Sequence, residues 1–202
     1  MSEDNVRYRL IDMADWDLVG LARDGDMNAF EILVRRYQKP VIHFCWRMTG
    51  SQEEAEDLAQ ESFIRVYRHL ARLQPRAQFS TVLFGIARNL TLNALRNAGR
   101  RGRPVARPPV SDPSSILEPG VPDNRPRPDE SARLHELGVR IEEALALLSP
   151  EHREVLLLRE FEGLDYDAIG RVIQARVGTV KSRLARAREQ FRLRLLDVGG
   201  EW

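Results

Sequence analysis

The chain has 202 residues, 31 Lys plus Arg against 30 Asp plus Glu, a formal net charge of +1, and 43% hydrophobic but only 7% aromatic residues, a globular composition long enough for one or two domains. The single Cys45 excludes an internal disulfide, and His43, His69, His135 and His152 stand apart without cysteine partners, which excludes zinc-ligand spacing. Near-neutrality, taken as a total, argues against a general nucleic-acid binder, because phosphate contact usually demands a basic excess.

The N-terminus MSEDNVRYRLIDMADWD is polar and acidic where a signal peptide would be basic and then apolar, and no apolar run approaches the roughly 18 to 20 residues that span a bilayer. A cytoplasmic protein without membrane insertion is expected. A short helix at about Asp17 to Arg23 comes first. Asp26 then caps a helix whose stripe is Phe30, Leu33, Val34, Tyr37, Val41, Phe44, Cys45 and Met48, kinked at Pro40 and stopped by Gly50. Ser51 and Glu54 form a capping box for a third helix to about Leu73, with Ala55, Leu58, Ala59, Phe63, Val66 and Leu70 inside. After a loop with Gln74, Pro75 and Arg76, a fourth helix runs from about Ser80 to Asn97 on Leu83, Ile86, Ala87, Leu90 and Leu95. Cys45 and Trp16 are expected to pack, and Trp202, beyond the last helix, to fray.

Eight of the eleven prolines fall between Pro104 and Pro128. Residues 100–131 therefore read as a flexible linker between domains at 10–99 and 132–198, able to reach about 100 Å at about 3.3 Å per residue. Beyond it, Leu134, Leu137, Ile141, Leu145 and Leu148 mark a helix. Ser149 and Pro150 open another, ending at Gly163, and Asp165 caps a short one carrying Ile169, Val172 and Ile173. After a break near Gln174 to Val177, with Gly178 expected to let the turn form, a helix opens on Val180, Leu184, Ala187, Phe191 and Leu195. The fold is thus all-α: two small helical domains, the second ending in a helix-turn-helix.

Charge is segregated along this plan. Ser62 to Ser111 holds ten arginines and no acid, directly after Ser51 to Glu61 with five acids and no base. Glu142 to Asp167 holds eight acids against Arg153 and Arg159, whereas Arg176 to Arg194 holds seven bases against Glu189. The +1 total is two basic faces cancelled by two acidic ones, and either basic face suffices for several phosphate contacts. Acids early in a helix with bases later also complement its macrodipole, the ordinary reading of one such run.

The runs DLAQESFIRVYRHL (Asp57–Leu70) and FSTVLFGIARNLTLNALR (Phe79–Arg96), preceded by LVGLARDGDMNAFEILVRRYQKPV, resemble region 2 of extracytoplasmic-function (ECF) sigma factors of the sigma-70 superfamily. LSPEHREVLLLREFEGLDYDAIGRVI and VGTVKSRLARARE resemble their region 4. The resemblance implies a noncatalytic initiation factor that binds core RNA polymerase at clamp and flap, reads a minus-35 duplex, and reads and helps melt a minus-10 element. It needs no cofactor and no small-molecule substrate. Many relatives are held inactive by an anti-sigma factor, although nothing in the sequence identifies one.

Carried over residue by residue, the resemblance assigns Asp57, Gln60, Glu61 and Phe63 to core polymerase. It assigns the loop from Ala71 to Gln78 and the next helix to the minus-10 element. There Arg72, Arg76, Arg88 and Arg96 suit phosphates, while Asn89 and Asn93, one turn apart, offer amide edges to bases. For the minus-35 element, Thr179, Lys181, Ser182, Arg183 and Arg186 face the major groove, flanked by Arg176 and Arg188 on the backbone. The chain departs from the family pattern at Val82, where Trp is common, and at Gln174 and Arg176, where Gly and Pro are common. A free-standing helix-turn-helix regulator, with a ligand-binding or partner-binding N-terminal domain, is the alternative. No phosphate loop, nucleophile elbow or paired His/acid motif supports an enzyme.

Overall fold

A computed structural model describes residues 10–100 and 128–199. The greater part of the expected linker, and Trp202, lie outside the described residues. The N-terminal helices are α1 (Asp15–Arg23), α2 (Met27–Thr49), α3 (Gln52–His69), a 3₁₀ turn (Leu70–Arg72) and α4 (Phe79–Arg100). The C-terminal ones are α5 (Pro128–Ala146), α6 (Pro150–Leu156) running into a π turn (Leu157–Phe161), α7 (Tyr166–Ile173) and α8 (Val177–Gly199). No strand occurs among the described residues.

The termini follow local chemistry. The Asp26 carboxylate accepts from the Asn28 and Ala29 amides at 2.9 and 3.4 Å, and Ser51, Ser149 and Asp165 cap α3, α6 and α7 in the same way. Gly50 stops α2 at φ 78°, a left-handed conformation that costs glycine little. Helix α2 continues through Pro40 to Thr49. One expectation needs correction here. Helix α5 starts at Pro128, inside the span read as linker, because a first-turn proline forfeits only an amide that has no partner there.

In the N-terminal half α2 packs on α1, α3 and α4, with Phe44 edge-on to Phe84 at 5.7 Å. Phe84 and Thr91 are buried, whereas Ile86, Leu90 and Leu95, expected on the inner face of α4, are only partly so. The stripe is rotated because α4 has two partners: its inner side meets α2 and α3, and a second side meets α7. Cys45 is fully buried, and burial raises its thiol to about 11, as expected of a core position. Trp16 packs edge-on to Phe79 at 6.3 Å.

In the C-terminal half α8 packs on α5, α6 and α7. The turn between α7 and α8 is not made by Gly178, which lies inside α8. The left-handed residue is Gln174, at φ 56°. Gly170 lets the turn close, because a Cβ there would stand 2.8 Å from the Ala175 carbonyl oxygen. Gln174→Gly should therefore raise unfolding stability by about 1 kcal/mol by relieving the left-handed side chain, and Gly170→Ala should lower it; denaturant titration of the full chain reads both.

Candidate functional site

Helices α2 and α3 leave between them an open groove of about 940 Å³. Asp57, Gln60 and Phe63 line it, the first two exposed and Phe63 at 7% exposure on its floor. Glu61 lies outside that lining and pairs with Arg65 at 2.7 Å, one turn on. Ile64, which the sequence places beside Phe63, is an exposed residue of the same groove, and so are Met27 and Tyr67, which the sequence did not single out. Phe30 packs against Tyr67 with the rings tilted by 58° and their centres 5.1 Å apart. Their legible signal was apolar residues one position off the buried stripe of each helix.

The 3₁₀ turn and loop between α3 and α4 are held by side chains that donate to their carbonyls. Arg23 reaches Leu70 and Leu73 at 3.3 and 2.7 Å, Trp16 reaches Ala77 at 2.9 Å, and Arg171 of α7 reaches Arg76 at 2.9 Å. Around this loop Arg72, Arg76, Asn89, Asn93 and Arg96 are exposed. Arg88 is not with them. Its side chain is 14% exposed and meets Glu154 of α6 at 2.6 and 3.2 Å in a two-pronged pair.

On α8 and just before it, the side chains of Arg176, Thr179, Lys181, Ser182 and Arg186 are exposed. Ser182 donates back to the Thr179 carbonyl at 3.0 Å, and Lys181 lies 5.8 Å from the centre of the Tyr166 ring. Arg188 is held by Glu160 at 2.6 Å. Arg183 turns inward, with Glu151 at 3.6 Å and Glu154 at 3.5 Å. Thus two arginines expected on different DNA elements, Arg88 and Arg183, converge on one carboxylate that is 1% exposed.

The two halves meet where α4 packs on α7 and the C-terminal end of α2 packs on α5 and α6. Arg153 donates all five guanidinium hydrogens to carbonyls of Leu145, Ala146, Leu148, Arg47 and Met48, at 2.7 to 3.1 Å. Burial pulls it down to about 10, so it remains a cation at neutral pH. Beside it Arg47, 4% exposed, pairs with Glu142 at 2.9 Å and lies 4.0 Å from the Phe161 ring centre. One Glu142 oxygen is buried without a partner. Arg47, Glu142, Arg153 and Glu154 were not assigned from sequence, although charged residues at apolar-stripe positions are the signal that marks them.

The sigma-70 region 2 family matches residues 33–101, and sigma-70 region 4 matches residues 138–191. The RNA polymerase sigma-H factor of Pseudomonas aeruginosa is 37% identical over 180 residues, covering 87% of this chain and 90% of that protein. The ECF RNA polymerase sigma factor SigW of Bacillus subtilis is 33% identical over 187 residues, covering 87% and 94%. The sigma factor RpoE from Bartonella quintana, solved with the anti-sigma factor NepR, shares the fold with a TM-score of 0.61 at 23% identity, over 85% of this chain and 98% of that one. The chain belongs to the ECF RNA polymerase sigma factors of the sigma-70 family. A free-standing regulator does not account for the region 2 match.

Next to Phe161, burial pushes the Glu162 carboxyl from its ordinary 4.5 up to about 7, against a smaller opposing pull from Arg47. The folded form therefore holds this proton more tightly than the unfolded chain does. Its penalty is absent below about pH 4.5, accumulates as pH rises toward 7 and is constant above. Glu162→Gln should raise the thermal midpoint at pH 8 and change it little at pH 4.5, as read by calorimetry at the two pH values.

Proposed function

We propose that this sigma factor docks on core RNA polymerase through the α2–α3 groove, with Asp57 and Gln60 lining it, Phe63 on its floor and Glu61 on the adjoining surface of α3. It reads the minus-10 element with the 71–78 loop and α4, and the minus-35 duplex with α8. In this reading 10–99 is the polymerase and minus-10 unit, 100–131 the linker, and 132–198 the minus-35 unit. The observation that carries it is the pairing, in one chain, of an acid-rimmed apolar groove with two separated arginine-bearing readers. A mixed polar and apolar groove suits a protein partner, while exposed arginine and asparagine faces suit phosphate and base edges.

Arg72, Arg76 and Arg96 neutralise the backbone of the opened strand and Asn89 and Asn93 address its bases, with Arg88 joining them once it leaves Glu154. On α8, Thr179, Lys181, Ser182, Arg183 and Arg186 address base edges, and Arg176 and Arg188 the flanking phosphates. The chain performs no chemistry itself: the polymerase does, in the cytoplasm. Among the described residues no helix is long and apolar enough to cross a membrane. The Bartonella quintana relative is described in complex with an anti-sigma factor, and a partner of that kind fits this chain as well.

In vitro transcription with purified core polymerase on genomic fragments tests the function and yields a promoter; no specific transcript would refute it. On that promoter, Lys181→Ala with Arg186→Ala should weaken holoenzyme binding by about 1–3 kcal/mol for each base-reading side chain removed, with core affinity unchanged. Asp57→Ala with Gln60→Ala should lower core affinity at least about tenfold, or 1.4 kcal/mol, in fluorescence titration; undiminished affinity would remove the groove from the polymerase interface.

A further inference from the structure

A second cavity, of about 810 Å³, opens where the later part of α4 faces α6 and α8. That volume lies within the roughly 300–1,000 Å³ usual for small-molecule sites, which favour such boundaries. The apolar wall is aliphatic: Met48 of α2, Leu92 and Leu95 of α4, and Ile173 of α7. No aromatic side chain lines the cavity, so a nucleobase would find no ring to stack on.

The polar wall carries four guanidiniums, of Arg88, Arg96, Arg153 and Arg183, against the carboxylates of Glu151 and Glu154, an excess of two positive charges. They differ in the hydrogens they have left to donate. Arg153 commits all five to carbonyls, and Arg88 is held in the two-pronged pair with Glu154. Arg183 is held loosely. Its side chain is 24% exposed, and it stands 3.5 Å from Glu154 and 3.6 Å from Glu151, well beyond the about 2.7–2.9 Å of a charge-assisted bond. It donates no hydrogen bond among the described residues, and Arg96 has no ion-pair partner among them. A guanidinium drawn partly out of water with unmet donors is satisfied by an anion.

We infer that this cavity is a binding site for a single-chain aliphatic phosphate monoester, with its head between Arg183 and Arg96 and its chain along Leu92, Leu95 and Ile173. A phosphate monoester carries about −1.5 to −2 charges at neutral pH, which matches the excess on the lining. Its three oxygens accept from two guanidinium forks, and the aliphatic wall takes the chain. Each methylene fully removed from water raises affinity about fourfold. The ligand bridges the halves, since Leu92, Leu95 and Arg96 belong to one and Ile173 and Arg183 to the other. It also takes hydrogens that Arg183 would give to the minus-35 element, a consequence that alone rests on the reading of α8 as a DNA reader.

The test is calorimetric titration of the full chain with n-octyl phosphate below its micelle concentration. Octyl phosphate should bind at one site at least about tenfold more tightly than inorganic phosphate, which lacks the chain, or octyl glucoside, whose head is neutral. Affinity should rise by at least about fourfold from butyl to hexyl phosphate. Arg183→Gln should weaken octyl phosphate about tenfold, and Leu95→Glu, which sets a carboxylate beside the head, should abolish binding. Undiminished affinity in Arg183→Gln would overturn the inference, since the amphiphile would then sit elsewhere, as would equal binding of octyl glucoside, since the arginines would then recognise nothing. Circular dichroism checks both variants; if Leu95→Glu unfolds the chain, Arg183→Gln decides alone. Co-sedimentation with vesicles of phosphatidylcholine and phosphatidic acid separates the two sources of such a group. No co-sedimentation is expected, and sedimentation that Arg183→Gln abolishes would overturn a free ligand in favour of a membrane headgroup. Failure of the promoter assay would remove the DNA reading of α8 and leave this binding result as it stands.

Discussion

The buried Arg153 guanidinium is the most fully bonded tie between the two halves of this protein. Helices end with carbonyls that lack amide partners and carry the negative end of the macrodipole, so two helix ends brought together in a dry interface need a shared cation. Arg153 meets that need for α2 and α5 at once, giving each of its five hydrogens to a separate carbonyl. Replacing it would leave several buried acceptors without donors, each costing about 1–3 kcal/mol. Beside it the buried Arg47–Glu142 pair fixes the register of α2 against α5, because breaking such a pair typically costs about 3–5 kcal/mol. Phe161, brought under Arg47 by the π turn, covers the outer side of that guanidinium.

With the halves fixed in this way, the charge segregation acquires a meaning that the total of +1 concealed. Acids of the C-terminal half serve as counter-ions not only to their own helix-turn-helix, as Glu160 does for Arg188, but also to arginines across the boundary. Near-neutrality thus includes arginines masked inside the molecule as well as arginines on its surface. The exposed remainder, Arg72, Arg76 and Arg96 on one side and Arg176, Lys181 and Arg186 on the other, stays available to phosphate. Surface pairs such as Arg65–Glu61 and Arg192–Glu189 are well solvated and contribute little to stability, so the energetic weight of charge lies in the buried junction.

The turn of the helix-turn-helix shows how a departure from a family pattern is absorbed. A left-handed residue is required where α7 gives way to α8, and Gln174 adopts that conformation at some cost because Gly170, one turn earlier, removes the clash with the Ala175 carbonyl. The strain is local and leaves α8 intact from Val177 onward.

Local rules made most of the secondary structure legible. Ser51, Asp26, Ser149 and Asp165 announce helix starts through short-range hydrogen bonds, Gly50 announces a stop, and 3.6-residue periodicity marks the buried faces of α2, α3 and α8. The family was legible too, because its motifs occupy contiguous stretches. Periodicity failed on α4, whose stripe is set by two partners in place of one. It could not place Arg47, Arg153 or Glu154, since a charged residue on an apolar stripe looks like an interruption until its counter-ion from the other half is in position. Residue types and their order determined the helices, the segregated charges and the class of protein. Which arginines face solvent and which face a buried carboxylate was decided only by the docking of two helical layers about 100 residues apart in sequence, through contacts such as Arg47–Glu142, whose partners are separated by 95 positions. No local pattern encodes such a contact, because its energy depends on desolvation and geometry that exist only after the halves have met.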